Sequence, residues 1–152
     1  MPVLSYSLAG SLALALLGAT GVAVFAEPPM IGQATRTAPQ SFRGAEAPVS
    51  GSFTVRSEGG KRLLVLSPDF RTSDQAPDLK VAFSPSATPL AGSKPPAYPL
   101  KPGSYTVLAP LRSASGAQTY VIPASIDLKA QRSVLIWCQQ FNATLAWAPL
   151  HS

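Results

Sequence analysis

The sequence predicts an all-β fold, an antiparallel β-sandwich or partly closed barrel of about seven or eight short strands. Three observations carry this. Short apolar runs recur between breaks rich in Gly, Pro, Ser and Asp, and no long stretch keeps the helical period. The composition agrees, because 16 Pro and 11 Gly in 152 residues favour turns over long helices.

The strands are read in order. Ser52-Phe53-Thr54-Val55-Arg56 alternates apolar and polar side chains, as a half-buried strand requires. Glu58-Gly59-Gly60 offers the positive-φ freedom of a tight turn, so Arg62–Leu66 returns as the second arm of a hairpin, stopped by Ser67-Pro68-Asp69. Further strands are expected at Leu79–Phe83, Tyr105–Leu108, Ala117–Ile122, Ser133–Cys138 and Asn142–Trp147. Between Pro85 and Pro102 the chain is dominated by Pro, Ser, Ala and Gly and reads as an excursion loop, since Pro cannot donate into a ladder. One short helical turn is allowed, around Asp127–Gln131.

The domain so outlined spans residues 49–150. Residues 27–48, rich in Pro, Ala, Gly, Thr and Gln, read as a flexible linker that lacks the apolar surface to offset its chain entropy. Residues 1–26 contain no charged side chain, and the apolar run over residues 8–25 reads as a secretory signal peptide. The run is also long enough to remain as an uncleaved membrane anchor. Either way the expectation is an exported protein, periplasmic or extracellular, that meets a membrane only through this segment.

The formal charge of +5 permits attraction to anionic surfaces. The basic residues are scattered, with Lys61-Arg62 the only adjacent pair, so no nucleic-acid groove is expected. One histidine, His151, is expected at a fraying end, which removes a Ser-His-Asp triad, most zinc sites and most haem ligation from consideration. Asp69, Asp74 and Asp78 share a turn-rich stretch, but Arg71 interrupts them and no bidentate Glu closes a calcium loop. No metal, no cofactor and no catalytic constellation is therefore expected. Asn142-Ala143-Thr144 matches an N-glycosylation acceptor.

Cys138 is the single cysteine and the one chemically reactive candidate. An unpaired thiol in an oxidising compartment is a liability unless it is buried, capped or used. It is read either as a small buried hydrophobe or as a redox-active thiol, which would need access. In an extended Ser133–Cys138, Val134, Ile136 and Cys138 share one face while Leu135 and Trp137 share the other. Trp137 and Phe141 flank the thiol in sequence, and Trp137 and Trp147 read first as core aromatics.

Several segments together resemble a known family. They are Gly51-Ser52-Phe53, Lys61–Phe70, Ala76-Pro77-Asp78-Leu79, Ser115–Pro123 and Ile136-Trp137-Cys138-Gln139-Gln140-Phe141-Asn142. This pattern resembles the DM-thirteen domain family, also called electron transfer DM, and extends over about residues 51–150. Its most specific positions here are Asp69, Phe70, Pro77, Asp78 and Leu79, with the Trp137-Cys138 pair. The resemblance implies a β-rich extracytoplasmic domain, of the type found as stand-alone exported proteins in bacteria, whose near-C-terminal cysteine takes part in electron transfer or oxidative cross-linking. Two readings of function follow. In one, Cys138 exchanges electrons or pairs with a partner thiol. In the other, the domain is a cell-envelope binding or adhesion module for a protein or polysaccharide, and Cys138 is merely structural.

Overall fold

The first hairpin sets the frame. Strands β3 (Ser52–Glu58) and β4 (Lys61–Leu66) pair antiparallel from Phe53↔Leu66 to Glu58↔Lys61, so only two residues make the turn. Both are glycines at positive φ, Gly59 at 57° and Gly60 at 76°, the backbone that lets a two-residue turn follow the natural strand twist. In the computed structural model residues 34–151 are described. The apolar segment 1–26, read as a signal or anchor, lies outside the described residues, as do residues 27–33 of the expected linker.

Two antiparallel sheets result. One has the order β1-β3-β4-β7, with β1 (Gln40–Ser41) and β7 (Gln118–Ile122) at its edges. The other has the order β2-β9-β8-β5-β6, formed by β2 (Arg43–Gly44), β9 (Ala143–Pro149), β8 (Ser133–Cys138), β5 (Leu79–Ser84) and β6 (Thr106–Pro110). The sheets are not closed on each other, so the fold is a sandwich rather than a barrel. All seven strands expected from the sequence are present, and Leu128–Ala130 forms a 3₁₀ turn capped by the Asp127 carboxylate.

The two additional strands fall in the segment expected as linker. Gln40 and Ser41 pair with Phe53 and Ser52 in one sheet, and Arg43 and Gly44 pair with Trp147 and Ala146 in the other. Phe42, between them, is inserted into the core and touches Phe53 and Phe70 at ring-centroid distances of 5.7 and 5.5 Å. Residues 40–44 thus stitch the two sheets together rather than extending the linker to 48. Two-residue strands carry no readable alternation, and composition does not register a single aromatic anchor.

The core between the sheets gathers Phe53, Val55, Leu64, Leu66, Tyr120 and Ile122 from one side and Val81, Phe83, Val134, Ile136 and Cys138 from the other. A second, smaller cluster of Ala82, Leu100, Leu135 and Trp137 lies on the opposite face of β5 and β8, with Leu90, Tyr105 and Trp147 packed against it. Strand β8 is therefore buried on both faces, which explains its continuous apolar sequence. The Pro-rich excursion supplies the cover: the Thr144 amide donates to Ala97 O and its hydroxyl to Tyr98 O, both at 2.8 Å.

Candidate functional site

Cys138 ends β8, where it stands opposite Ala143 of β9 and Leu79 of β5. The alternation places its side chain with Val134 and Ile136 on the inter-sheet face. As a result the thiol is only 1% exposed and makes no disulfide. It is not sealed in uniform packing, however. A cleft of about 350 Å³ reaches it, walled by Ala47, Ala76, Ala97, Ala143 and Leu145. Among the described residues Glu46 is the one charged member of the lining, and Phe141, 64% exposed, belongs to the same wall.

The small side chains make this cleft. Four alanines around one thiol leave space that larger residues would fill, and the Ala45–Ala47 segment is held beside it by the Ala45 and Ala47 amides donating to Leu145 O at 2.8 and 3.4 Å. The Gln139 amide donates to Asp78 O at 3.0 Å, closing β8 against the start of β5. Strand β9 bulges here: Trp137 stands opposite Thr144 and Ile136 opposite Ala146, so Leu145 is the unpaired extra residue beside the cleft.

The structure brings only some of the sequence-predicted residues together. Leu79 is the direct neighbour of Cys138, and the Asp78 carboxylate lies 2.9 Å from Lys80 Nζ. Pro77 is exposed just before this strand. Phe141 shares the cleft with the thiol, whereas Trp137 points to the opposite face of β8, with Tyr105 at a ring distance of 4.5 Å. Asp69 and Phe70 do not join the cleft lining. Asp69 is exposed, with its carbonyl accepting from the Ser50 hydroxyl at 2.8 Å, and Phe70 is a core residue at 1% exposure. Among the described residues no three His, Cys, Asp or Glu side chains converge.

Two residues that matter here carried no chemical signal in the sequence. Asn142 stands in the sequence as a glycosylation acceptor and the end of a family-like segment, yet its Oδ1 accepts from Trp137 Nε1 at 3.0 Å and from the Leu100 amide at 2.9 Å, while its Nδ2 donates to Leu100 O. The side chain is thereby committed to internal bonds. Glu46, at the cleft, fell in the expected linker; no local pattern distinguishes it from any exposed acid.

An open antiparallel sandwich with one thiol at the floor of an apolar cleft defines an all-β domain that carries neither a metal cluster nor a hydrolytic constellation among its described residues. Its family is set by sequence comparison: the model of the family described as Electron transfer DM13 matches residues 41–150. The chain belongs to that family. The match begins at Ser41, inside β1, and so includes Phe42 and the sheet-stitching segment. Neither the curated proteins nor the solved structures gave a match.

Proposed function

We propose that the protein is an exported domain associated with electron transfer in which Cys138 is the redox group. The observation that supports this reading best is that the single thiol, although buried at the edge of the core, also lines a cleft that opens to the surface. The family description points the same way. In the proposed reaction the Cys138 thiolate attacks a disulfide presented by a partner. One S–S bond forms to Cys138, the partner's S–S bond breaks, and the departing thiolate takes up a proton. With the residue only 1% exposed, the partner has to enter the cleft with a narrow element or widen it.

On this reading residues 1–26 direct export, to the periplasm or the extracellular space, either as a cleaved signal or as a tether through residues 8–25. The partner in this reaction is a protein that docks at the Phe141 side of the cleft; an envelope polysaccharide is the alternative partner if Cys138 only packs.

Burial favours a second reading, in which the domain binds an envelope component and Cys138 only packs. Labelling of native and denatured protein by a small thiol reagent separates the two. Native labelling within a few-fold of the denatured rate supports the redox group; labelling only after unfolding sinks it and leaves the binding module.

A further inference from the structure

The end of the sandwich remote from Cys138 carries a second cleft. Strand register fixes the polarity: Cys138 pairs with Ala143 at one end of β8 and β9, and Ser133 pairs with Pro149 at the other, two residues before His151. His151 lines a groove of about 440 Å³ at that far end, together with Thr35, Thr37, Ser57 and Arg62.

The cross-strand ladder explains why these side chains meet. Arg36 is bridged to Arg56, which places those two on one face, and their neighbours Thr35, Thr37, Val55 and Ser57 turn to the other; Arg36 also borders the groove, but only Arg62 has its guanidinium fixed there by backbone carbonyls. Ser57 is paired with Arg62, so Arg62 shares that inner face. The Ser57 amide donates to Thr35 O at 2.8 Å and the Thr37 amide to Val55 O at 2.9 Å, fixing the extra segment against β3.

Arg62 is held in place rather than free to swing. Its Nη2 donates to Ile126 O at 2.8 Å and to Pro123 O at 3.1 Å. Both contacts use the same nitrogen, so Nε and Nη1 carry the remaining donors. The Thr37 hydroxyl accepts from the Val55 amide at 2.9 Å, which leaves its own proton to give. Among the described residues none that lines the groove carries a carboxylate. A guanidinium pre-positioned by two carbonyls, an imidazole and three hydroxyls share one concavity, where the Gln40 amide is the one neutral acceptor group beside them and no described carboxylate neutralises the charge.

We propose that this groove is a binding site for a compact oxyanion, the phosphate or carboxylate group of a small ligand or chain, with Arg62 as its anchor. The site is independent of Cys138 and stands whether or not the thiol is reactive.

The test is a titration of the ¹⁵N-labelled full chain in neutral detergent, with inorganic phosphate and separately with trigalacturonate, at constant ionic strength. Saturable shifts at the amides of Thr35, Thr37, Ser57 and His151 are expected, weakened about tenfold in Arg62→Gln and unchanged in the remote Lys101→Gln. Saturation by phosphate alone assigns a phosphate ligand; saturation by trigalacturonate alone or by both assigns a carboxylate-bearing one. Shifts spread evenly over the Lys and Arg residues, no saturation by either anion, or equal binding in folded Arg62→Gln overturns the proposal. Should Arg62→Gln fail to fold, Ser57→Ala with His151→Gln decides in its place, and binding equal to that of the unsubstituted chain overturns it.

Discussion

Asn142 Oδ1 accepts the indole N–H of Trp137 at 3.0 Å, and through the same side chain it grips both the amide and the carbonyl of Leu100. One residue therefore joins the turn after β8, the buried tryptophan and the excursion loop that covers the outer face of the sheet. Its backbone takes φ of 46°, a conformation that asparagine tolerates better than most residues.

Asn142→Ala is expected to lower stability by about 2 to 4 kcal/mol, from a buried indole donor left without a partner and an alanine forced into left-handed backbone. Asn142→Gly removes the same hydrogen bonds but not the backbone freedom, so it should be milder by about 1 kcal/mol. Chemical denaturation followed by tryptophan fluorescence measures both. Equal losses would assign the whole effect to the hydrogen bonds.

Phe42 gives a sharper test of where the folded unit begins. Deleting residues before Thr35 should leave the unfolding midpoint nearly unchanged, while deletion through Gly44 removes two strands and an aromatic contact to both Phe53 and Phe70. The point variant Phe42→Ala should cost about 3 to 5 kcal/mol, the range for emptying an aromatic core site. A loss under about 1 kcal/mol would return residues 40–44 to the status of linker.

These two residues also show what was legible in the sequence. Strands with several alternating positions, such as Ser52–Glu58 and Ser133–Cys138, announce themselves, and the facing of Cys138 with Val134 and Ile136 follows from the period of two. Phe42 sits in strands too short for a period, and its burial depends on partners far along the chain. The cleft over Cys138 depends on Ala47, Ala76, Ala97 and Ala143, brought from four separate segments. Alanine is silent in sequence, since it fits surface and core alike. His151, expected at a fraying end, lines the far groove because β9 carries the chain there.

Arg36 and Arg56 face each other across an isolated antiparallel bridge. Like charges directly opposite one another oppose pairing, and the Glu58 carboxylate, 3.4 Å from Arg56 Nε, offsets this only in part. Arg36→Glu should therefore raise stability by about 0.5 kcal/mol, a gain that shrinks at high salt. Thermal unfolding at low and high ionic strength reads both features. An unchanged or lower midpoint at low salt would show that the two guanidinium groups avoid each other at no cost.

Gly51 marks the corner where the stitching segment hands over to β3, and it is more constrained than its φ of 88° alone implies. A Cβ there would lie 2.5 Å from Phe70 Cα and 2.7 Å from Phe70 N, both backbone atoms that cannot rotate away. The same turn is tied by the Phe42 amide to Gly51 O at 3.0 Å and by the Ser52 amide to the Ser67 hydroxyl at 2.8 Å. Gly51→Ala should thus combine a left-handed penalty of about 1 to 2 kcal/mol with a backbone clash that displaces Phe70 from the core, for a total loss above about 3 kcal/mol. Gly60, at φ of 76° in the first hairpin, has open space where its Cβ would go, so Gly60→Ala carries the backbone penalty alone, about 1 to 2 kcal/mol. The two variants measured side by side in urea separate conformation from crowding. If Gly51→Ala proves no worse than Gly60→Ala, the approach of Phe70 relaxes without cost, and the Asp69-Phe70 pair is held in place by something other than this corner.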